Sequence, residues 1–385
     1  MLESIFWFSV FAIFYAYFGY PLSLYLLSKS SYKKSFVRTL PNSLFTPFVT
    51  IIISACNEEN KIQAKLDNTL KLDYPNQKLE IIVASDASTD DTDKIVERYE
   101  HITEGKVLLV RLPKKGGKEA AQKAALQIAR GDIIVFTDAS TTLAPHTLGH
   151  LVGNFFDKRV GGVDGMSKVL GESGESAYLK YENKIREWEA QLGSTVSFGG
   201  CLFAARKDVL KDFASDLQSD FRTALQTVTN GYQAVIDISA VAEFADAKDP
   251  SKEYNRKHRT VVRGINNLFH HLYLLNPFKY GMFSYQLFCH KLLKWMVPFF
   301  MIGTFFSNLA LVIVSTTELT QAFWTILAIA QSLFYVTGGI SWYKQSKNSY
   351  LKIVAFFVMS NLAILHSWVK YTMGERFVTW TPTKR

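Results

Sequence analysis

EIIVASDASTDDT, residues 80–92, and DIIVFTDAST, residues 132–141, decide the fold. Each is a short run of β-branched and apolar residues that stops at an aspartate, Asp86 or Asp138. Uninterrupted apolar runs of this length read as buried parallel strands. In an open α/β sheet, ligands bind just beyond the carboxyl ends of the strands. Two carboxylates placed there suit a ligand that offers hydrogen-bond donors and a bound divalent cation.

The pattern extends outward from these two runs. VTIIISA (49–55) reads as an earlier strand and VLLVRL (107–112) as one between them. Residues 58–72 have helical spacing, 90–101 read as a helix, and KEAAQKAALQIAR (118–130) is built of strong helix formers. Strands alternating with helices imply right-handed crossovers and a mostly parallel α/β sheet. Residues 48–275 have the polar and apolar mix of one such domain.

Hydrophobic residues make up 48% of the chain and concentrate at its two ends. Residues 4–27 carry no charge and are long enough to cross a hydrocarbon core of roughly 30 Å. Lys29, Lys33, Lys34 and Arg38 follow, which puts that side in the cytoplasm. Further spans are expected at about 295–315, 321–343 and 350–371. The segment 278–294 mixes aromatics with lysines and reads as an interfacial amphipathic helix. The expected organisation is an N-terminal transmembrane helix (1–28), a linker (29–47), the α/β domain (48–275), an interfacial segment (276–294), about three C-terminal transmembrane helices (295–372) and a basic tail (373–385). Counting spans puts the C-terminus outside, whereas Lys370, Arg376, Lys384 and Arg385 favour the inside; the side stays open.

The formal net charge of +9 fits nucleic acid, an anionic membrane surface or a phosphate-rich substrate. No nucleic-acid module is recognisable, and no nucleic-acid partner is expected. Cys56, Cys201 and Cys289 have no metal-like spacing and make no disulfide framework.

Four segments could carry chemistry. SACNEE (54–59) ends the first strand with Asn57 and Glu58, which suit either a nucleoside or a helix N-terminus. Asp86 stands at a strand end itself, while Ser88, Thr89, Asp90 and Asp91 fit the cap and first turn of the next helix. KKGGKEAA (114–121) sets lysines around two glycines at a helix start, which suits a diphosphate or a surface turn. FTDAST (136–141) offers Asp138 to Mg²⁺ or Mn²⁺, or else is a capped turn.

The order and spacing of these segments resemble the family 2 glycosyltransferases, which have the GT-A fold, over about residues 48–265. The resemblance implies a nucleotide-sugar donor bound by Ala55, Asn57, Glu58, Asp86, Lys118 and Asp138. Asp86, with Ser88 and Asp90, matches the family's D-x-S-x-D motif, whose aspartate contacts the base. Gly116, Gly117 and Lys118 match a GGK segment. Asp138 matches the first position of the metal motif, but the second acidic position holds Ser140. The implied cofactor is therefore Mg²⁺ or Mn²⁺ on Asp138, phosphates and water, with Ser140 beside it. SFGGCLFAARKDVL (197–210) is similar to the acceptor segment, with Gly199, Gly200 and Cys201 on the acceptor side. Trp188, on the preceding helical stretch, is a further acceptor candidate. LQSDFRTAL (217–225) looks like the motif ending in the catalytic base, which would be Asp220, its acidic pair reduced to Ser219 and Asp220. In EYNRKHRTVVRG (253–264), Arg259 matches the arginine of a Q-x-x-R-W motif, with Arg256 and Thr260 in the Gln and Trp positions. Arg256, Arg259 and Arg263 would neutralise the diphosphate leaving group.

These matches imply an inverting enzyme that transfers a sugar to a lipid-linked or glycan acceptor. It would work at the cytoplasmic face of the inner membrane, in exopolysaccharide, capsule or O-antigen assembly. Membrane lipids and other polysaccharide-assembly proteins are the implied partners. Two alternatives stand beside this: a processive synthase of the same family, and an inactive sugar-nucleotide-binding subunit.

Overall fold

The mainly apolar runs of the first strands demand cover on both faces, and the computed structural model provides it. It describes residues 1–30, 45–170, 174–245, 250–346 and 348–377. Within the expected linker, residues 31–44 lie outside the described residues, as do residues 378–385 of the basic tail.

The chain opens with helices α1 (Leu2–Phe14) and α2 (Tyr20–Ser30), joined by a π-helical turn at Tyr15–Gly19. Then come β1 (Val49–Ala55), α3 (Glu59–Leu70), β2 (Leu79–Ser85), α4 (Thr92–Ile102), β3 (Val107–Arg111), α5 (Lys118–Ile128) and β4 (Ile133–Asp138). A less regular stretch follows: β5 (Thr142–Leu143), α6 (Thr147–Gly153), β6 (Val160–Leu170), α7 (Gly174–Gln191), β7 (Leu202–Arg206), α8 (Ser219–Thr229) and β8 (Gln233–Ala245). Helix α9 (Pro250–His270) leads through α10 (Pro277–Tyr280) and α11 (Met282–Leu287) to α12 (Lys294–Val314), α13 (Glu318–Tyr343) and α14 (Ser349–Thr372). The chain divides into two compact units. One holds the sheet and Arg263–Ser284. The other holds the N-terminal helices, α9 through Val262, and Tyr285–Glu375.

The sheet order is β3-β2-β1-β4-β7-β6-β8-β5. Strands β1 to β4 are parallel, and β1 lies between β2 and β4. The order therefore reverses at β1, a switch point whose crevice opens at the strand carboxyl ends. Asp138 pairs with Ser54 and Ser85 with Ala55, so the SACNEE turn, Asp86 and Asp138 line one edge of that crevice. The sheet is mixed rather than parallel throughout. Strand β7 starts at the carboxyl end of β4, directly from the glycine loop, and so runs antiparallel between β4 and β6.

Alternation along β1 feeds two cores. Ile51 and Ile53 pack with Ile62 and Leu66 of α3 and Val96 of α4. Ile52 packs on the other face with Ala121 and Ala125 of α5 and Ala224 of α8. Gly131, before β4, has no room for a side chain. A Cβ there would lie 2.4 Å from the Thr50 nitrogen and 2.8 Å from the Ile133 oxygen, both backbone. Gly131→Ala is expected to destabilise the sheet unit by roughly 1–3 kcal/mol. A thermal scan of the solubilised protein checks this, and an unchanged midpoint contradicts it.

Among the described residues, four helices are long and apolar enough to cross a membrane: Leu2–Ser30, Met282–Val314, Glu318–Tyr343 and Ser349–Thr372. Their large apolar side chains, such as Phe8, Phe18, Ile313, Ile326 and Ile353, are exposed, while Ser9, Asn308, Asn361 and Ser367 are buried. Apolar outside and polar inside suits a hydrocarbon solvent. The 278–294 segment breaks at Gly281, whose φ of +52° suits glycine. From Met282 the helix runs on through a π-helical turn at Phe288–Leu293 into α12.

Candidate active site

The SACNEE turn and the DASTDDT turn are laced together by hydrogen bonds. Asn57 sits at φ +55°, which asparagine tolerates. Its N–H donates to Ser88 Oγ at 3.2 Å, and its Oδ1 accepts from the Thr89 N–H at 2.8 Å. The Glu58 N–H donates to Thr92 Oγ1 at 2.8 Å, and the Glu59 N–H to Asp90 Oδ2 at 3.1 Å. Asn57 thus binds the neighbouring loop, and Glu58 is the residue at the start of α3. Burial pushes the Glu58 carboxyl up, against the pull of Lys61. Ala55 is buried, and its carbonyl accepts the Asp86 N–H at 3.0 Å.

Asp86 is fully buried. Its Oδ1 accepts the N–H groups of Gly116 and Gly117 at 2.7 and 3.0 Å. Its Oδ2 has no partner. A buried carboxylate oxygen without a donor is costly, and a ligand N–H would satisfy it. Gly117, at φ +94°, turns the chain into α5. The next residue, Lys118, reaches across to Asp138.

Lys118 Nζ lies 2.5 Å from Asp138 Oδ1 and 3.3 Å from the Gly200 carbonyl. Burial works against its ammonium, but Asp138, Glu119 and Asp220 together raise its pKa. Behind the strand end, Lys65 is buried, with Nζ donating to Thr137 Oγ1 at 3.1 Å and the Thr141 carbonyl at 2.8 Å. Burial pushes Lys65 down to about 7, with Asp138 opposing.

Asp138 is 28% exposed at the end of β4, and Ser140 follows in the turn. Among the described residues no group of three His, Cys, Asp or Glu could hold a metal ion. One carboxylate beside an ammonium makes no resident metal cage. It does fit a hard cation that arrives coordinated by a diphosphate, since Mg²⁺ needs only one or two protein carboxylates in such sites.

The glycine loop separates Asp138 from Asp220. A Cβ on Gly200 would lie 2.8 Å from Asp220 Oδ2, so only glycine fits there without displacing that carboxylate. Asp220 stands in the first turn of α8. Its Oδ1 accepts the Phe221 N–H at 2.8 Å, and its Oδ2 accepts from Gln218 Nε2 at 3.1 Å. Burial pushes its carboxyl above the usual range, against the pull of Lys118, the Phe221 N–H and Arg263.

The Gly199 N–H donates to Asp164 Oδ1 at 2.7 Å, and Asp164 Oδ2 pairs with Arg186 of α7. Arg186 also bonds Asn183, whose Nδ2 donates to the Ser167 carbonyl at 2.8 Å. Desolvation raises Asp164 to about 7 in spite of Arg186. Cys201 Sγ lies 2.9 Å from Ser167 Oγ, and burial pushes its thiol up to about 11. Trp188 is half-buried two residues beyond Arg186, on a different face of α7, with Lys184 Nζ 5.5 Å from its ring centre. Arg186 supports the glycine loop through Asp164.

The arginines of α9 part company. Arg256 and Arg259 belong to the unit of the apolar helices, and Arg263 to the sheet unit. Arg263 is ion-paired with Glu119. Sequence reasoning missed Lys65, Asp164, Arg186 and Glu119. The available signal was a charge inside an apolar pattern, as Asp164 is in VGGVDGM.

Residues 50–213 match the model of the Glycosyl transferase family 2. The "Probable glycosyltransferase YdaM" of Bacillus subtilis (strain 168) is 30% identical over 194 residues, 46% of each chain. The "Beta-monoglucosyldiacylglycerol synthase" of Nostoc sp. is 34% identical over 135 residues, 35% of this chain and 29% of that protein. The chain thus spans less than half the length of these relatives. A mannosyltransferase from Pyrobaculum calidifontis, solved in complex with GDP-Man and Mn²⁺, shares the fold with a TM-score of 0.73 at 24% identity, over 97% of this chain and all of that one.

Proposed function

Because the chain is a family 2 glycosyltransferase with a GT-A fold beside four candidate membrane helices, we propose that it transfers a sugar, with inversion, from a nucleoside diphosphate donor to a lipid-linked or glycan acceptor. The observation that carries this reading is the contact chain across the crevice. Asp138 meets Lys118, Lys118 meets the Gly200 carbonyl, and Gly200 lies against Asp220. In this reading Lys118 with Asp138 anchors the donor and Asp220 is the base, with the glycine loop between them as the acceptor floor.

In the proposed reaction Asp220 takes the proton of the acceptor hydroxyl. The hydroxyl oxygen attacks the anomeric carbon as the bond to the diphosphate breaks on the opposite face. The nucleoside diphosphate leaves, and the Lys118 ammonium neutralises charge gathering on it. Asp86 holds the nucleobase through Oδ2, with uracil a suitable partner. Asp138 would hold Mg²⁺ or Mn²⁺, which would supply positive charge for the leaving group. A lipid acceptor is supported by the apolar helices and by the diacylglycerol named for the Nostoc relative. The lysine in the last turn of the first span, Lys29, supports a cytoplasmic site at an inner membrane. Exopolysaccharide, capsule or O-antigen assembly is the proposed setting.

The test is donor turnover in lipid nanodiscs, with UDP-, GDP- and dTDP-sugars, Mg²⁺ or Mn²⁺, and lipid or glycan acceptors. Release of nucleotide from one donor is expected. Silence with every donor while nucleotide still binds would instead support the inactive-subunit reading. The base works only when ionised, so turnover should fall as pH drops through the raised Asp220 pKa. The acid limb should therefore stand above the ordinary aspartate value of about 4. A limb at or below that value contradicts the assignment.

A further inference from the structure

Beside the proposed base lies a buried ion pair that the transfer itself does not use. Glu119 follows Lys118 in the first turn of α5 and is 2% exposed. Its Oε1 pairs with Arg263 of α9 and also accepts from the Ser219 N–H at 3.4 Å, at the first residue of α8. One turn beyond Arg263, on the same face of α9, the buried Asn267 donates from Nδ2 to the Gln218 carbonyl at 3.0 Å. Gln218 in turn donates to Asp220 Oδ2. Helices α5 and α9 thus hold the residues immediately before the base, one through Glu119 and the other through Asn267.

A buried ion pair is a weak stabiliser, because desolvation offsets the attraction. Its field is another matter, since neighbouring charges act strongly on a carboxylate that water screens poorly. Among the described residues, the charged groups facing Asp220 are Lys118 and Glu119 from α5, Arg263 from α9 and Asp164 from β6. Asp164 is already matched by Arg186, and Lys118 by Asp138. Glu119 and Arg263 remain as opposite charges whose balance Asp220 feels directly.

We propose that Glu119 and Arg263 are a positioning pair for the base. Glu119 fixes the start of α8 against the helix that carries Lys118, and Arg263 cancels the charge Glu119 would otherwise impose on Asp220. The proposal rests on the reading of Asp220 as the base. It predicts opposite effects of the two neutral replacements. Glu119→Gln leaves Arg263 unbalanced, which favours the ionised base, so the acid limb of turnover moves to lower pH. Arg263→Gln leaves Glu119 unbalanced, so the limb moves to higher pH. Each shift is expected to be on the order of half a unit to one unit. The double variant should bring the limb back towards the wild-type position.

The experiment measures kcat and KM against pH for the full-length wild type, both single variants and the double variant in nanodiscs, with Asp220→Asn alongside. Opposite shifts that cancel in the double variant support the pair. Shifts in one direction, no shift, or a double variant no nearer to wild type would overturn it and leave the pair as packing. If Glu119→Gln does not fold, Arg263→Lys decides: it keeps the charge and loosens the geometry, so it should lower kcat several-fold with the limb unmoved. A displaced limb in that variant also overturns the pair. Near-normal turnover of Asp220→Asn would instead remove the base assignment itself, whichever way the limbs lie.

Discussion

Asp220→Asn is expected to cut sugar transfer by roughly 10²–10⁴-fold, the range that a positioned general base contributes. Asparagine has nearly the same shape and can still accept the Phe221 N–H through Oδ1. It cannot take the acceptor proton. The contact from Gln218 Nε2 to Oδ2 would become donor against donor, so the Gln218 amide must turn over. Donor affinity should stay near wild type, because Asp220 faces the donor only through the Lys118 charge and the glycine loop. Initial rates of nucleotide release, set beside nucleotide binding by calorimetry, check both halves. Near-normal turnover would mean that another group takes the proton. A large loss of binding would mean that Asp220 serves the donor side.

Asp86→Asn should weaken nucleotide binding without loosening the diphosphate end. The wild-type carboxylate divides its labour: Oδ1 holds Gly116 and Gly117, while Oδ2 has no partner. An asparagine can keep its carbonyl on the two glycine N–H groups and present its NH₂ where Oδ2 was. A base N–H then meets a donor rather than an acceptor. Hydrogen bonds to charged groups contribute about 1.5–3 kcal/mol, so affinity for the matching nucleotide should fall roughly ten- to a hundredfold. Pyrophosphate should compete as well as before. Asp86→Ala is a poorer probe, because it frees both glycine N–H groups just before Lys118 and disturbs the phosphate end too. Competition of nucleoside diphosphate and pyrophosphate against a labelled nucleotide separates the cases. Equal weakening of both by Asp86→Asn would sink the base-binding role.

The first half of the sheet could be read directly because a strand buried on both faces appears as an unbroken apolar run. VTIIISA, EIIVAS and DIIVFT are such runs, and each ends beside a residue of the crevice. The second half could not be read in this way. Strand β6 carries Gly, Asp, Ser and Lys among its apolar residues, β8 carries Gln, Asp, Ser and Glu, and the two pair through register shifts. Trp188 illustrates another limit. Its aromatic character drew notice, whereas Arg186, two residues earlier on α7, holds the glycine loop through Asp164 and drew none. Of the later residues of DASTDDT read as capping, Asp90 does accept the Thr92 N–H at the start of α4, while Ser88 accepts an N–H from the neighbouring turn.

Local pattern alone determined the parallel strands, the acids at their ends and the four long apolar helices. Each is written in consecutive residues by periodicity, β-branching or hydropathy, with no distant partner needed. Which oxygen of Asp86 stays unpaired, where the Lys118 ammonium goes and what Arg263 binds depended on the tertiary structure. Those outcomes join residues that the chain keeps far apart, such as Lys118 with Gly200 and Glu119 with Arg263. A buried charge must take the counter-charge or hydrogen-bond partner that the sheet order and helix phase bring within reach, and neither is written beside it in the sequence.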